Sequence, residues 1–382
     1  MSSSKARISF WEAETFIGRP DVVIVGAGFT GLRAALALKE QAADKSVLVV
    51  DRHPFGLGAS TRNAGFACFG SPTELLADLA VSPAETVWDT VAKRYAGVRR
   101  LAQEAASLPQ LFQWDGGYEV FDNREKYEAV VAQLPALNAE LSRCCGPDAI
   151  WQETKAPASL RPGISVLYNA AEGKLQPAAL LADLQARCRA AGVQLAYGCT
   201  VDSFSGRAGN MQLHTQPLGT INCDQILLAT NAFSNELGLE LDVVPCRNLV
   251  VLTQVVPDLQ LPGTYHHHEG YVYFRTVDRP EGPRLLMGGA RHLARAAEQT
   301  AEFGIGEDLR KSLKKYLQDF IQLPEDSLKM EYSWSGIIAQ GREKSPIVRR
   351  LHEGLVVAVR LSGMGVALSA EVGEQAAKLL CE

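Results

Sequence analysis

The run Val22-Val23-Ile24-Val25-Gly26-Ala27-Gly28-Phe29-Thr30-Gly31 constrains this chain more than any other segment. A short apolar stretch of β-branched residues reads as a buried strand, and the glycines that follow are spaced Gly-x-Gly-x-x-Gly. A second apolar run, Val47-Leu48-Val49-Val50, ends in Asp51. Gly26 allows a tight turn, Gly28 lets backbone approach a pyrophosphate, and Gly31 lets a helix sit close to the strand. The helix opened by Phe29 and Thr30 directs free N–H groups and its positive dipole end at the phosphates. Asp51, with Arg52 beside it, is placed to accept from ribose hydroxyls. The segment is therefore a candidate dinucleotide-binding βαβ unit.

A second glycine motif lies near the C-terminus. Arg360, Ser362, Gly363, Met364 and Gly365 fall between an apolar strand and a helix that continues through Val366. Unsatisfied amides at such a junction suit an electron-rich ligand, and a reduced isoalloxazine carries negative charge at its N1/C2 end. The two motifs together favour flavin over nicotinamide.

At 382 residues the chain exceeds one small core, and two domains are expected. A net charge of -5 implies neither a nucleic-acid nor an anionic-membrane surface, and no apolar run is long enough to span a bilayer. The first twenty residues lack the apolar core of a signal peptide, so the expected location is cytoplasmic. Eight scattered cysteines include the neighbours Cys144 and Cys145 but no Cys-x-x-Cys pair, so no metal site is assigned. His266, His267 and His268 read as a polar loop before a strand, since consecutive strand residues point to opposite faces.

The pattern predicts a β-α-β unit and a Gly/Ala/Ser-rich loop over 21–70. Helices follow at 85–101 and at 124–144, the latter interrupted near Pro135, with a strand at 116–121 between them. A helix at 176–192, a strand at 193–197, a hairpin near 205–210 and a strand at 225–228 come next. Strands at 249–255, 270–276 and 284–288 precede a helix at 307–320, a strand at 355–359 and a helix at 365–380. This layout predicts a nucleotide-binding domain from 1–85, 150–240 and 334–382, and a second domain from 86–149 and 241–333.

The segment Gly58-Ala59-Ser60-Thr61-Arg62-Asn63-Ala64-Gly65, the run Leu228-Ala229-Thr230-Asn231-Ala232 and Trp334-Ser335-Gly336 join both glycine motifs in one order. Together they resemble the D-amino acid oxidase (DAO) family of FAD-dependent oxidoreductases over nearly the whole chain. Within that family the pattern is nearest to the gamma-glutamylputrescine oxidase-like branch. The resemblance implies an α/β plus α+β architecture: a glutathione-reductase-type FAD-binding Rossmann domain with an inserted substrate domain on an antiparallel sheet. It further implies that Ser60, Thr61, Arg62, Asn63, Ala64 and Gly65 run along the flavin. Val201 would meet the adenine through its backbone, and Ala229, Thr230, Asn231 and Gly336 would complete the cofactor contacts.

Two departures bear on the substrate. Where glycine and D-amino acid oxidases of the family place a carboxylate-binding arginine, this chain has Ile338. Where sarcosine oxidases place an oxygen-activating lysine it has Leu286, and no flavin-linking cysteine stands near Glu331, so FAD is expected to be non-covalent. In the strand pattern around Tyr271-Val272-Tyr273-Phe274-Arg275, Tyr271, Tyr273 and Arg275 share one face. Tyr273 and Arg275, then Tyr271, are the candidate catalytic-site residues: the tyrosines flanking an amine and Arg275 meeting a carboxylate. Arg247, Arg291 and His292 are weaker candidates.

The reaction implied is oxidation of a C–N bond of a small amine or amino acid to an imine, by hydride transfer to flavin N5. Reoxidation would use O2. A dehydrogenase passing electrons to a quinone or carrier protein, and a non-catalytic FAD-binding subunit, remain alternatives.

Overall fold

The computed structural model describes residues 8–105, 108, 111–323 and 328–382. The chain divides into two compact units, Met1–Thr61 with Ala178–Cys246 and Ile338–Glu382, and Arg62–Pro177 with Arg247–Ile337.

In the first unit, short runs of Val, Ile and Leu form strands buried on both faces, the pattern of a covered parallel sheet. Its six strands run in the order Ile347–His352, Leu355–Val359, Gln225–Leu228, Val22–Val25, Val47–Asp51, Gln194–Tyr197. All neighbours are parallel except the antiparallel edge strand Ile347–His352. Consequently the loops that follow Val25, Asp51, Leu228 and Val359 all leave from one edge of the sheet. The helices Phe29–Gln41 and Gly365–Cys381 pack so closely that a Cβ on Gly373 would lie 2.9 Å from the Ala34 amide nitrogen. A three-stranded antiparallel sheet of Thr200–Arg207, Asn210–Gln216 and Gly219–Cys223 completes this unit.

The second unit is built on an eight-stranded sheet. Its order is Met330–Gln340, Val244–Val255, Arg284–Gly289, Val272–Val277, Thr264–His267, Gly117–Phe121, Ser165–Asn169, Gln152–Thr154. The sheet is mixed, because Thr264–His267 pairs parallel to Gly117–Phe121 whereas its other neighbour is antiparallel. The helix Glu307–Phe320 lays Leu309, Leu313, Leu317 and Phe320 against the sheet core. Their three- and four-residue spacing makes one apolar stripe, each side chain contributing about 1.5–3 kcal/mol of burial.

Helices Pro72–Val81, Ala84–Ala105 and Arg124–Cys145 enclose a second cluster that includes Phe69, Trp88, Leu134, Leu137 and Trp151. The expected break near Pro135 is absent: Arg124–Cys145 is one helix with Pro135 inside it. Buried Val130, Leu134, Leu137 and Leu141 hold both halves on the same core, which offsets the hydrogen bond that proline cannot donate.

The unit boundaries differ from those expected. Residues 62–85 and 150–177 join the second unit, since the strands Phe66–Ala67 and Phe112–Gln113 both pair with Gly173–Leu175. The histidine run also departs from expectation. His266 and His267 end the strand Thr264–His267, and His266 is buried rather than in a polar loop.

Candidate functional site

In the first unit, the glycine turn is sterically compulsory. Gly26 has φ 110°, and a Cβ there would lie 2.7 Å from the Ala229 carbonyl oxygen; a Cβ on Gly31 would overlap the Gly26 carbonyl oxygen. Gly28 caps the helix Phe29–Gln41 without a side-chain hydrogen bond. The Phe29 N–H donates to Ser60 Oγ at 2.9 Å, while Thr30 and Gly31 lie in the first turn, where N–H groups have no intrahelical acceptor. Asp51 accepts from the amides of Ala27 (Oδ2) and His53 (Oδ1), both at 2.9 Å, which fixes its carboxylate at the strand end. Arg52 is engaged elsewhere, paired with Glu236 at 3.0 Å and lying over the Phe233 ring. Val201 pairs with Thr215 beside a register shift in its strand.

The second glycine motif leaves the same sheet edge. Arg360, Ser362 and Gly363 all have positive φ, at 62°, 49° and 83°, and Met364 caps the helix Gly365–Cys381 with no side-chain bond. First-turn amides of Gly365 and Val366 are thus available, and successive left-handed residues shape an anion-accepting concavity. Ser362 Oγ is buried without a hydrogen-bond partner among the described residues. Asn231, itself at φ 47°, accepts the amides of Arg360 and Leu361 at 3.1 and 3.4 Å, so the two loops are locked together. Thr230 Oγ1 lies 3.2 Å from Ser234 Oγ, and the Ala229 amide donates to Val25 O at 2.9 Å. The Arg360 guanidinium points away from a ligand role. It donates to Asp242 Oδ2 at 2.6 Å and to the Ser345 carbonyl at 2.9 Å. Glycine cradle, open helix start, anchored carboxylate and an orphaned hydroxyl on one edge fit a flavin dinucleotide.

The segment 58–65 contributes to both units. Thr61 Oγ1 donates to the Gly56 and Gly58 carbonyls within the first unit. In the second, Arg62 Nη1 donates to Ser335 O at 2.9 Å, and Trp334 Nε1 donates to the Arg62 carbonyl at 3.1 Å. Gly336 lets that strand approach, since a Cβ would sit 3.2 Å from Arg62 Cβ. Asn63 Oδ1 accepts the Gly65 amide at 2.8 Å, and Gly65 adopts φ 73°.

The geometry alters the role of Arg275. It is 7% exposed and its three nitrogens donate to backbone carbonyls: Nε to Ala64 at 2.5 Å, Nη2 to Leu175 at 2.9 Å, Nη1 to Thr276 at 3.3 Å. Burial lowers it to about 10. Expected to meet a carboxylate ligand, it instead secures loop backbone. Tyr273, on the same face, packs with Phe66, Leu252, Val277 and Trp334 around Ala64, Val250 and Leu286, and burial raises its hydroxyl to about 12. Gly288 makes room for it, since a Cβ there would overlap the Tyr273 ring. Tyr271 lies just outside the strand Val272–Val277, and Arg295 Nη2 donates to its hydroxyl at 3.1 Å.

One buried polar cluster was not anticipated. His266 Nε2 lies 3.2 Å from Glu172 Oε2, and the Cys68 thiol is within 4.8 Å of both atoms. Burial alone would lower His266, but the bond and charge of Glu172 outweigh it and raise the ring. Glu119, facing His266 in register, is raised to about 7 by burial despite hydrogen bonds from Thr73 and Ser71. Arg247, a weaker candidate, is committed to Glu298 through Nε and Nη2 at 2.9 and 2.8 Å.

The profile described as DAO, FAD dependent oxidoreductase, matches residues 21–379. The "Probable oxidoreductase OrdL" of Haemophilus influenzae is 25% identical over 383 aligned residues, covering 96% of this chain and 84% of that protein. Among solved structures, L-proline dehydrogenase from P. horikoshii superposes with a TM-score of 0.75 at 17% identity, covering 94% of this chain and 93% of that one. Glycine oxidase from Bacillus cereus superposes at 0.74 with 16% identity, covering 95% of each chain. The two solved structures share the fold of this chain.

Proposed function

The chain belongs to the DAO family of FAD-dependent oxidoreductases, and from that premise we propose that it oxidises the C–N bond of a small amine or amino acid to an imine, with O2 as the final acceptor. The observation that carries the cofactor assignment is the convergence of four loops, after Val25, Asp51, Leu228 and Val359, on one edge of a parallel sheet. Gly26, Gly28, Phe29, Thr30 and Gly31 would hold the pyrophosphate. Asp51 would hold the ribose, and the turn Ser362–Val366 the electron-rich end of the flavin ring. Ser60, Asn63, Ala64 and Gly65 would line the ring. When bound, FAD supplies a two-electron acceptor for a C–H bond adjacent to nitrogen.

The remaining work is positioning. Tyr273 stays protonated at neutral pH, so it offers a neutral donor and an apolar ring. Phe66, Leu286 and Trp334 around it exclude water, which favours a neutral amine. Such chemistry relies on orientation more than on a dedicated base. No cysteine stands near Glu331, so FAD is held non-covalently in this reading.

Leu286 favours a second reading, in which electrons leave for a quinone or carrier protein. It is apolar and 5% exposed at the place where the resemblance to sarcosine oxidases would imply an oxygen-activating lysine. Anaerobic mixing of purified holoprotein with a panel of amines and amino acids tests both readings. Bleaching of flavin absorbance is expected for at least one compound, and peroxide should appear when air returns. Bleaching without peroxide transfers the assignment to the dehydrogenase, and a colourless protein removes the FAD assignment.

A further inference from the structure

At the end of the strand Arg284–Gly289 the second unit gathers cations around one tyrosine. Arg291 and Arg295 place their guanidinium carbons 5.7 and 5.3 Å from the Tyr271 ring centre, and Arg295 also donates to its hydroxyl. The His292 ring lies tilted beside two others, its centre 4.6 Å from that of His268 and 5.2 Å from that of Tyr271. Backbone conformation holds this corner: Ala290 is fully buried at φ 59°, and its amide donates to the Tyr271 carbonyl at 2.8 Å. Such left-handed residues persist where the surroundings over-determine them.

The charge at this corner is unbalanced. Among the described residues, the contacts of Arg291 and Arg295 are the ring and hydroxyl of Tyr271, with no carboxylate in ion-pair range. Arg291 Nε and His292 Nδ1 are buried without any hydrogen-bond partner. Burial, then His268, Arg295, His267 and Arg291, depress His292 to about 4, so the ring is neutral and can both donate and accept. Buried donors without acceptors and cations without a counter-ion describe a site for an anion supplied from outside.

We infer that Arg291 and Arg295, with the Tyr271 hydroxyl and His292, bind a carboxylate carried by the amine substrate. This deepens the proposed function and rests on it for the word substrate, but not for the anion site itself. The carboxylate is recognised from the sheet corner after Gly289, within the second unit.

Two measurements test the inference separately from the function. Calorimetric titration of the holoprotein with propionate, against propionamide as the uncharged control, reads anion binding without turnover. Propionate should bind, and Arg291→Gln or Arg295→Gln should weaken it about ten- to a hundredfold, the range of a charge-assisted hydrogen bond. Arg295 is exposed, so its variant keeps the test valid if Arg291→Gln does not fold. In the second measurement, flavin reduction is compared for alanine and ethylamine, and for 5-aminopentanoate and butylamine. The acid-to-amine preference in kcat/KM should fall by a similar factor in both variants. Propionate binding no tighter than propionamide, or as tightly to both variants as to the wild type, overturns the inference. If no amine bleaches the flavin, the function fails while the propionate titration still decides the anion site.

Discussion

Arg275 Nε donates to the Ala64 carbonyl at 2.5 Å, while its Nη2 donates to Leu175, the residue whose own amide returns to Gly65. One buried cation therefore ties the 62–65 segment to the strand Gly173–Leu175. Arg275→Gln should cost about 3 kcal/mol, since removing the partner of a buried group costs its desolvation. Lysine has one charged nitrogen and cannot span both carbonyls, so Arg275→Lys should recover little of that loss. Urea denaturation gives the stability, and the flavin-to-protein absorbance ratio gives the cofactor. A variant with wild-type values for both would show the clamp to be dispensable.

Gly31→Ala and Gly58→Ala form a matched pair. A methyl on Gly31 would overlap the Gly26 carbonyl, whereas one on Gly58 meets nothing within 4 Å. The first substitution should destabilise by about 1–3 kcal/mol and deplete bound flavin. The second should leave melting temperature and flavin content close to wild type. Equal behaviour of the two variants would contradict the steric argument.

Asp242 anchors the second glycine motif through Arg360 and also accepts the Arg342 amide at 2.9 Å. Asp242→Asn keeps the shape and removes the charge, leaving Arg360, 5% exposed, without its closest carboxylate. A loss of about 3–5 kcal/mol is expected for breaking a buried pair. If the turn is a flavin contact, the visible spectrum of the remaining holoprotein should shift as well. Unaltered stability would mean that Glu343, 3.7 Å away, suffices.

Glu119 predicts a pH dependence. Burial raises it from 4.5 to about 7, so below 4.5 both folded and unfolded chains carry the proton and the folded state loses nothing. As pH rises through the window the unfolded chain ionises first, and stability falls until the folded group also ionises near 7. At about 1.4 kcal/mol per pH unit the loss is roughly 3 kcal/mol. His266, also raised, contributes with the same sign at higher pH. Glu119→Gln should flatten the stability difference between the two ends of this window. An unchanged slope would place the titration elsewhere.

The parallel sheet and its glycine turns were legible because each needs a local signal. Val22–Val25, the glycines after it and Asp51 are contiguous, and the helices Glu307–Phe320 and Gly365–Cys381 announce themselves by apolar spacing. What failed was long-range. Arg275 looked like a ligand residue by strand alternation, because nothing near it in sequence shows that Ala64 and Leu175 supply carbonyls to it. Asp242 is 118 residues from Arg360 and carries no motif. The Glu172–His266 pair likewise joins residues 94 apart. Pro135 misled in the opposite direction, since a strong local helix breaker was overruled by the core beneath it.

The helices Phe29–Gln41 and Gly365–Cys381 bury against each other, and the strand Leu355–Val359 pairs two places from the first strand of the sheet. Segments far apart in sequence thus form one layer. During synthesis the apolar face of Phe29–Gln41 stays uncovered until Gly365–Cys381 has emerged, so the covering of this helix is a late folding event, and a chain lacking Gly365–Cys381 would leave that face exposed.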